Sequence, residues 1–259
     1  MRADKLLVVR GLVPSRTLAA RLIESGQVEH ELAGQWQPIR RGADELPDDA
    51  GLRLQQAAPE LRYVSRGGLK LEGALHRTQL DVRGLRCVDL GQSTGGFTDC
   101  LLQLGAAQVI GLDVGHGQLD VRLRADPRVQ AFEGINVREL SASPFAAQVP
   151  QASMDLLVVD VSFISLVLAL PPVLPWLRSG AHVLALVKPQ FEAGRAWIDK
   201  HGVVTAPEAH EAVRASIMQL CIEHRLEVRD YFDSPLLGGG QGNAQGNREF
   251  FVHAVARTD

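Results

Sequence analysis

Residues 87–99 read Cys-Val-Asp-Leu-Gly-Gln-Ser-Thr-Gly-Gly-Phe-Thr-Asp, passing from strand to turn to helix chemistry within a few positions. Cys87, Val88 and Leu90 suit a buried strand, while Gly91, Gly95 and Gly96 permit positive φ and close approach of a ligand to the backbone. Phe97 and Thr98 open the helix that follows, and Asp89, Gly91, Ser93, Thr94, Gly95, Gly96, Phe97 and Thr98 are the residues of this segment expected to contact a cofactor. This strand–turn–helix unit restricts the chain to α/β folds and predicts a nucleoside cofactor site. It is not the dinucleotide fingerprint: the glycines do not fall as G-x-G-x-x-G, and Ser93 and Thr94 crowd the place of a pyrophosphate. Asp89 would repel phosphate but could pair with an ammonium, such as that on the methionine end of S-adenosylmethionine. A second strand, Gln108-Val-Ile-Gly-Leu112, ends in Asp113, where doubly wound folds place a carboxylate for ribose hydroxyls. The alternative is a glycine-rich turn in another kind of α/β protein.

A chain of 259 residues has room for one large or two smaller domains, and 46% hydrophobic residues are enough for a core. No basic segment followed by an apolar one opens the sequence, so a secretory signal is not expected. The longest apolar stretch, Phe163 to Leu177, is interrupted by Ser165, Pro171, Pro172 and Pro175 and is too short for a membrane span. Cys87, Cys100 and Cys221 form no C-x-x-C pair and predict core thiols in a reducing, cytoplasmic compartment. Eight histidines lack ligand spacing, so no metal is expected.

The net charge of −3 excludes a global field that attracts nucleic acid, but the charges are unevenly spread. Arg2, Lys5, Arg10, Arg16 and Arg21 face only Asp4 and Glu24 within the first 24 residues, and Arg62, Arg66 and Lys70 follow later against Glu60. The same region predicts two helices, one from Asp4 to Val9 closed by Gly11 and one capped by Ser15 and closed by Gly26. Leu6, Leu18, Leu22 and Ile23 would form their seam and leave Arg10, Arg16 and Arg21 outside. Short strands are expected around 27–32, 36–39 and 52–55. With its segments Arg2-Ala-Asp-Lys-Leu-Leu-Val-Val-Arg-Gly-Leu and Ser15-Arg-Thr-Leu-Ala-Ala-Arg-Leu-Ile, this unit resembles the S-four-type RNA-binding module over residues 1–56. It departs from that module after the second helix, where Val28-Glu-His-Glu31 replaces a Val-Asn-Gly-like turn.

Further along, Tyr63-Val-Ser-Arg-Gly-Gly-Leu-Lys-Leu, Asp89-Leu-Gly-Gln-Ser-Thr-Gly-Gly-Phe-Thr-Asp, Asp160-Val-Ser-Phe-Ile-Ser-Leu, Leu186-Val-Lys-Pro-Gln-Phe-Glu and Asn247-Arg-Glu occur in order. Together they resemble the hemolysin-A-type (TlyA) rRNA methyltransferases across nearly the whole chain. The resemblance implies an S-four-type module at 1–56, a linker at 57–66 and a Rossmann-like domain at 67–259 similar to the FtsJ ribose methyltransferases. It also implies methyl transfer from S-adenosylmethionine to a ribose 2′-hydroxyl, on cytidine in 16S or 23S rRNA, with ribosomal subunits as partners. Gln92 and His116 depart from the family pattern near the cofactor.

The chemistry can be argued from residue types as well. A ribose 2′-hydroxyl is a poor nucleophile at neutral pH, so the site has to remove its proton as the methyl moves. Lys188 follows the apolar strand 181–187 and precedes Pro189, and Asp160 follows the apolar strand 156–159. Both should emerge at the carboxyl edge of the sheet, where open α/β sheets bind ligands. The FtsJ resemblance implies that Lys70 and Glu249 complete a tetrad. Lys188 is then the expected proton acceptor, Lys70 holds phosphate or hydroxyl, and Asp160 and Glu249 orient the two ammonium groups.

Asn136 sits where this fold meets the adenine ring, although a structural role in its loop explains it equally well. The stretch Gly238–Asn247 is low in complexity and reads as a mobile loop, either closing over RNA or connecting two strands. The RNA-facing residues expected overall are Arg2, Lys5, Arg10, Arg16, Arg21 and Arg66. Two other classes of function stay open at this level: a non-catalytic RNA-binding or ribosome-associated factor with a degenerate pocket, and a cytolysin. The sequence does not determine the oligomeric state.

Overall fold

A computed structural model of the chain describes residues 1–13, 16–55, 62–238 and 246–257. Ser15, the expected helix cap, Glu60 and most of the glycine-rich stretch 238–247 lie outside the described residues. The chain divides into two compact units, Met1–Arg62 and Tyr63–Asp259.

In the first unit, α1 (Ala3–Val9) and α2 (Arg16–Glu24) pack on a small antiparallel sheet of β1 (Val28–Leu32), β2 (Gln35–Pro38) and β3 (Leu52–Leu54), ordered β2-β1-β3. Gly11 and Gly26 follow the two helices at φ +68° and +72°, conformations that a side chain would strain. Leu6, Leu22 and Ile23 close the core, with Leu18 at its margin. The cations around this core are only partly available. Asp4 is buried and accepts from Arg2 at 3.0 Å and from Arg16 at 2.8 Å. Burial pushes the Asp4 carboxyl up, but the bonds from Arg2 and Arg16 outweigh it and hold the group below its ordinary range. Arg10 donates to the Asp48 carbonyl. Arg2, Arg10 and Arg16 are therefore exposed, as expected, but each also holds a partner within this unit. Lys5 and Arg21 show no ion pair among the described residues.

The second unit alternates strands and helices: α3 (Gly67–Thr78), β4 (Arg86–Leu90), α4 (Gly96–Gln103), β5 (Gln108–Leu112), α5 (Val121–Arg124), β6 (Val129–Phe132), α6 (Pro144–Gln148), β7 (Met154–Val159), α7 (Leu166–Ala169), β8 (Leu177–Val187), α8 (Pro189–Glu192), α9 (Pro207–Glu223), β9 (Leu226–Asp233) and β10 (Phe250–Ala256). Its sheet runs β6-β5-β4-β7-β8-β10-β9. The first five strands in that order are parallel, and β10 runs antiparallel to both β8 and β9. The central strands are apolar nearly throughout because helices cover both faces. On one face Leu71, Ala74 and Leu75 of α3 pack with Phe97, Cys100 and Leu101 of α4. On the other, Val213, Ile217 and Leu220 of α9 meet Leu166, Ala169 and Phe145. All three cysteines are buried, and none of them forms a disulfide.

Residues 63–66, read from the sequence as linker, belong to this unit. Tyr63 is buried in its core, so close to Gly68 that a Cβ there would collide with the ring, and Val64 N donates to Asp99 at 2.8 Å. The strand order reverses between β4 and β7, so the carboxyl ends of these strands flank the crevice where a doubly wound sheet takes its ligands.

Candidate active site

At that crevice a cavity of about 520 Å³ opens over the ends of β4, β5 and β7. The turn after β4 forms one wall. Gly91 and Gly95 have φ of +86° and +95°, and Ser93 follows at +46°. The glycines yield space to the protein more than to a ligand: a Cβ on Gly91 would lie 2.5 Å from the Asp160 carbonyl oxygen, and one on Gly95 would collide with Leu123. Gly96 is helical, and a Cβ there would collide with Ser65 Oγ. Three neighbouring segments thus pack closely against the turn, while Gly91 and Gly96 also line the open space at the strand ends.

Asp113 ends β5 on the cavity wall. Its Oδ2 accepts from Ser93 N and its Oδ1 from Gly115 N, each at 2.7 Å. One carboxylate therefore fixes the turns after both β4 and β5 while the residue lines the cavity. Gln118, which the sequence reading did not single out, accepts from Ser93 Oγ at 3.0 Å and lines the same wall. Asn136 also lines it while capping the turn that follows, with Oδ1 accepting from Arg138 N at 3.1 Å. The cavity-lining and structural readings of Asn136 are thus compatible. Leu112, Val114, Ile135 and Val137 supply the apolar part of the wall.

Asp89 is not on the wall. It is 0% exposed and accepts from Thr98 Oγ1 at 2.6 Å, and Thr98 in turn accepts from Gln92 Nε2 at 2.9 Å. Burial pushes the Asp89 carboxyl up to about 7, helped by the charges of Asp160 and Asp113 and opposed by the bond from Thr98. Asp89 Oδ1 has no partner within the protein. The expected pairing of Asp89 with a cofactor ammonium is corrected to an interior role, and so is the expectation that Thr98 contacts the cofactor. Phe97 belongs mainly to the core, with its ring stacked near that of Phe251. Gln92 also turns inward: a Cβ on Gly111 would collide with its amide group, so Gln92 fills the space that Gly111 leaves open. His116 lies over Gly134, where a Cβ would come within 2.5 Å of its ring.

A second, smaller recess of about 160 Å³ adjoins the cavity, with Ser65, Thr94, Phe97 and Lys188 on its sides. Asp160 and Ser162 line both spaces. Lys188 Nζ lies 2.6 Å from Asp160 Oδ1, a close ion contact without hydrogen-bond alignment, and donates to Ser162 Oγ at 2.9 Å. Lys70 contacts the buried Glu249 carboxylate in a second ion pair. The register Phe250↔Val187 carries on to set Glu249 across from Lys188. Lys70 lies one helical turn after Gly67, where a Cβ would be 3.7 Å from Asp160 Oδ2. Two lysine–carboxylate pairs thus gather at one sheet edge from residues 179 positions apart in the chain. Arg66, at the start of α3, donates to the Leu237 carbonyl at 3.1 Å. Among the described residues no group of histidine, cysteine, aspartate and glutamate is arranged to hold a metal ion.

The residues present fit an adenosyl cofactor. The cavity has the size of a nucleoside site, apolar side chains on its walls and convergent polar groups at Asp113, Gln118 and Asn136. Its end at Asp160 opens beside the Lys188 recess. Comparison with known proteins adds the family. Residues 63–255 match the FtsJ-like methyltransferase family. A 16S/23S rRNA (cytidine-2′-O)-methyltransferase TlyA of Mycobacterium tuberculosis is 39% identical over 261 aligned positions, covering 100% of this chain and 91% of that protein. A solved structure under the name of a hemolysin from Streptococcus thermophilus is 38% identical, with a TM-score of 0.74, 100% of this chain and 89% of that one covered. An S-adenosylmethionine-dependent methyltransferase from Mesorhizobium loti shares the fold at 18% identity and a TM-score of 0.51, covering 72% of this chain and 97% of that one. With its three-layered second unit, its strand-end cavity and these relatives, the chain belongs to the FtsJ-like methyltransferase family, among the TlyA and hemolysin A proteins.

Proposed function

We propose that the protein methylates a ribose 2′-hydroxyl of ribosomal RNA, with S-adenosylmethionine as donor. The observation that carries the reading is the wall formed by Asp160 and Ser162, which separates a nucleoside-sized cavity from a recess holding a lysine. When bound, S-adenosylmethionine supplies an electrophilic methyl group on a sulfonium. Asp113 and Asn136 would hold its adenosyl part. In the recess, Lys188 in its amine form would take the hydroxyl proton as the O–C bond to the methyl forms and the C–S bond of the sulfonium breaks, leaving a neutral thioether, and Ser162 and Asp160 would hold the amine in place. Lys70, fixed by Glu249, supplies a second positive charge for the adjoining phosphate. Lys5 and Arg21, with the outer parts of Arg10 and Arg16, make the first unit an RNA-binding module, and Arg66 adds a contact beside the site. The rRNA (cytidine-2′-O)-methyltransferase names of relatives support cytidine as the target and the cytoplasm, where ribosomes are, as the place of action. A relative from Brachyspira hyodysenteriae is named Hemolysin A. Among the described residues no helix is long and apolar enough to cross a membrane.

The test is transfer of labelled methyl groups to isolated ribosomal subunits, followed by mapping of ribose methylation. Lys188→Arg keeps the charge and cannot accept the proton, so it should lose activity while binding S-adenosylmethionine normally. Near wild-type transfer by a folded Lys188→Arg protein would remove Lys188 as proton acceptor, with Lys70 the next candidate.

A further inference from the structure

The two loops that carry the Lys188–Asp160 pair are joined by a carboxylate outside the tetrad. Glu192 ends α8, the single turn that begins directly after Lys188. Its Oε1 accepts from Leu166 N at 2.8 Å, and its Oε2 accepts from Ser165 Oγ at 2.5 Å. Ser165 closes the loop that starts at Asp160, and its Oγ caps α7 by accepting from Val167 N at 3.1 Å. The chain from Asp160 to Ser165 and the chain from Lys188 to Glu192 therefore form a ring. Glu192 closes it at one end, and the contacts of Lys188 with Asp160 and Ser162 close it at the other. The rings of Phe163 and Phe191, one from each loop, lie 5.2 Å apart at 51°, with Phe163 otherwise exposed. Phe163 holds φ +66°, a conformation rare for a bulky side chain, so this loop is kept in place by its neighbours and not by its own preference. Burial raises the Glu192 carboxyl, while the bonds from Leu166 and Ser165 oppose that shift. A carboxylate held out of water by a backbone N–H and a hydroxyl costs more to leave unpaired than a surface acid does.

We infer that Glu192 is a positioning residue, which locks the Asp160 loop to the Lys188 turn and thereby sets where the Lys188 amine meets the substrate hydroxyl. The inference rests on the reaction proposed above. Its test uses full-length Glu192→Ala, Glu192→Gln and Ser165→Ala, with Lys188→Ala as control. The readouts are kcat and KM on ribosomal subunits and the affinity and stoichiometry of S-adenosylmethionine binding. Glu192→Ala should lower kcat by about 10- to 100-fold, the scale of a misplacement near 1 Å. KM and cofactor binding should stay within about twofold. Glu192→Gln keeps an acceptor for Leu166 N and should recover most of the rate. Ser165→Ala should be intermediate, and the double variant Glu192→Ala/Ser165→Ala no slower than Glu192→Ala alone. Wild-type kcat in Glu192→Ala beside an inactive Lys188→Ala would overturn the positioning role and leave the reaction standing. Equal loss in the alanine and glutamine variants together with lost cofactor stoichiometry would reduce Glu192 to a folding role. Full activity in Lys188→Ala would remove Lys188 as proton acceptor and sink this inference with it, while the methyl transfer itself would stand.

Discussion

Replacing Asp89 with asparagine should make the protein's stability respond to pH in a way that identifies where this carboxyl lies. Asp89 is fully buried, and its pKa is raised from 3.8 to about 7. The folded chain then binds this proton more tightly than the unfolded chain. The associated stability is complete below about pH 3.8 and is lost progressively as pH rises to about 7. At about 1.4 kcal/mol per pH unit, the loss approaches about 4 kcal/mol. The Asp89→Asn protein would carry no such dependence from this position. Asparagine can still accept from Thr98, but it places an amide NH2 where Asp89 Oδ1 has no partner. That costs about 1–3 kcal/mol at every pH. Asp89→Asn should accordingly gain on the wild type by about 1.4 kcal/mol per unit from pH 5 up to pH 7, then run parallel. Urea unfolding of both proteins without cofactor, at half-unit steps from pH 5 to 8, measures this. Other titrating groups, common to both proteins, cancel in the difference. Parallel profiles throughout would show that Asp89 is ionised in the folded protein, which requires water or a cation at the carboxylate and returns it to the cavity wall.

Gly111→Ala should destabilise the second unit by about 1–3 kcal/mol through overpacking against Gln92. Adding Gln92→Ala should recover part of the loss in urea midpoint, and an unshifted Gly111→Ala midpoint would contradict the packing. In the first unit, Lys5→Ala/Arg21→Ala should lower the salt slope of RNA binding by about two counterions without changing stability, since neither cation is tied to a carboxylate among the described residues. Arg16→Ala should cost about 1 kcal/mol of stability because it leaves the buried Asp4 with Arg2 alone; an unaltered RNA salt slope in the double variant would mean that this face is not used for RNA.

Much of the architecture was legible because the strands end where their chemistry changes. Apolar runs stop at Asp113, Asp160 and Lys188, and each of these residues lies at the carboxyl edge of the sheet. The path of Asp89 was not legible. In a parallel strand covered on both faces the alternation of polar and apolar residues disappears, so nothing local tells which way one acid turns. Thr98 and Gln92, which receive and support it, are recognisable only with the helix folded back. The pairing of Arg16 was not legible for a related reason: Arg16 is exposed as expected, but Asp4, the acid it pairs with, is buried. Which carboxylate meets which lysine depends on the β8–β10 register, a relation between distant segments that local patterns do not carry.

That register also orders events during synthesis. β10 lies between β8 and β9, so the sheet has a gap in its interior until residues 250–256 are available, and Glu249 arrives with them. A nascent chain that has already made the cofactor turn at 91–96 and both strand-end loops still lacks the partner of Lys70. Pairings this distant in sequence form late and slowly. A ribosome making the protein would therefore carry an incomplete sheet until residues 250–256 had emerged, and loss of that one internal strand would leave Lys70 without Glu249 although the turn at 91–96 was intact.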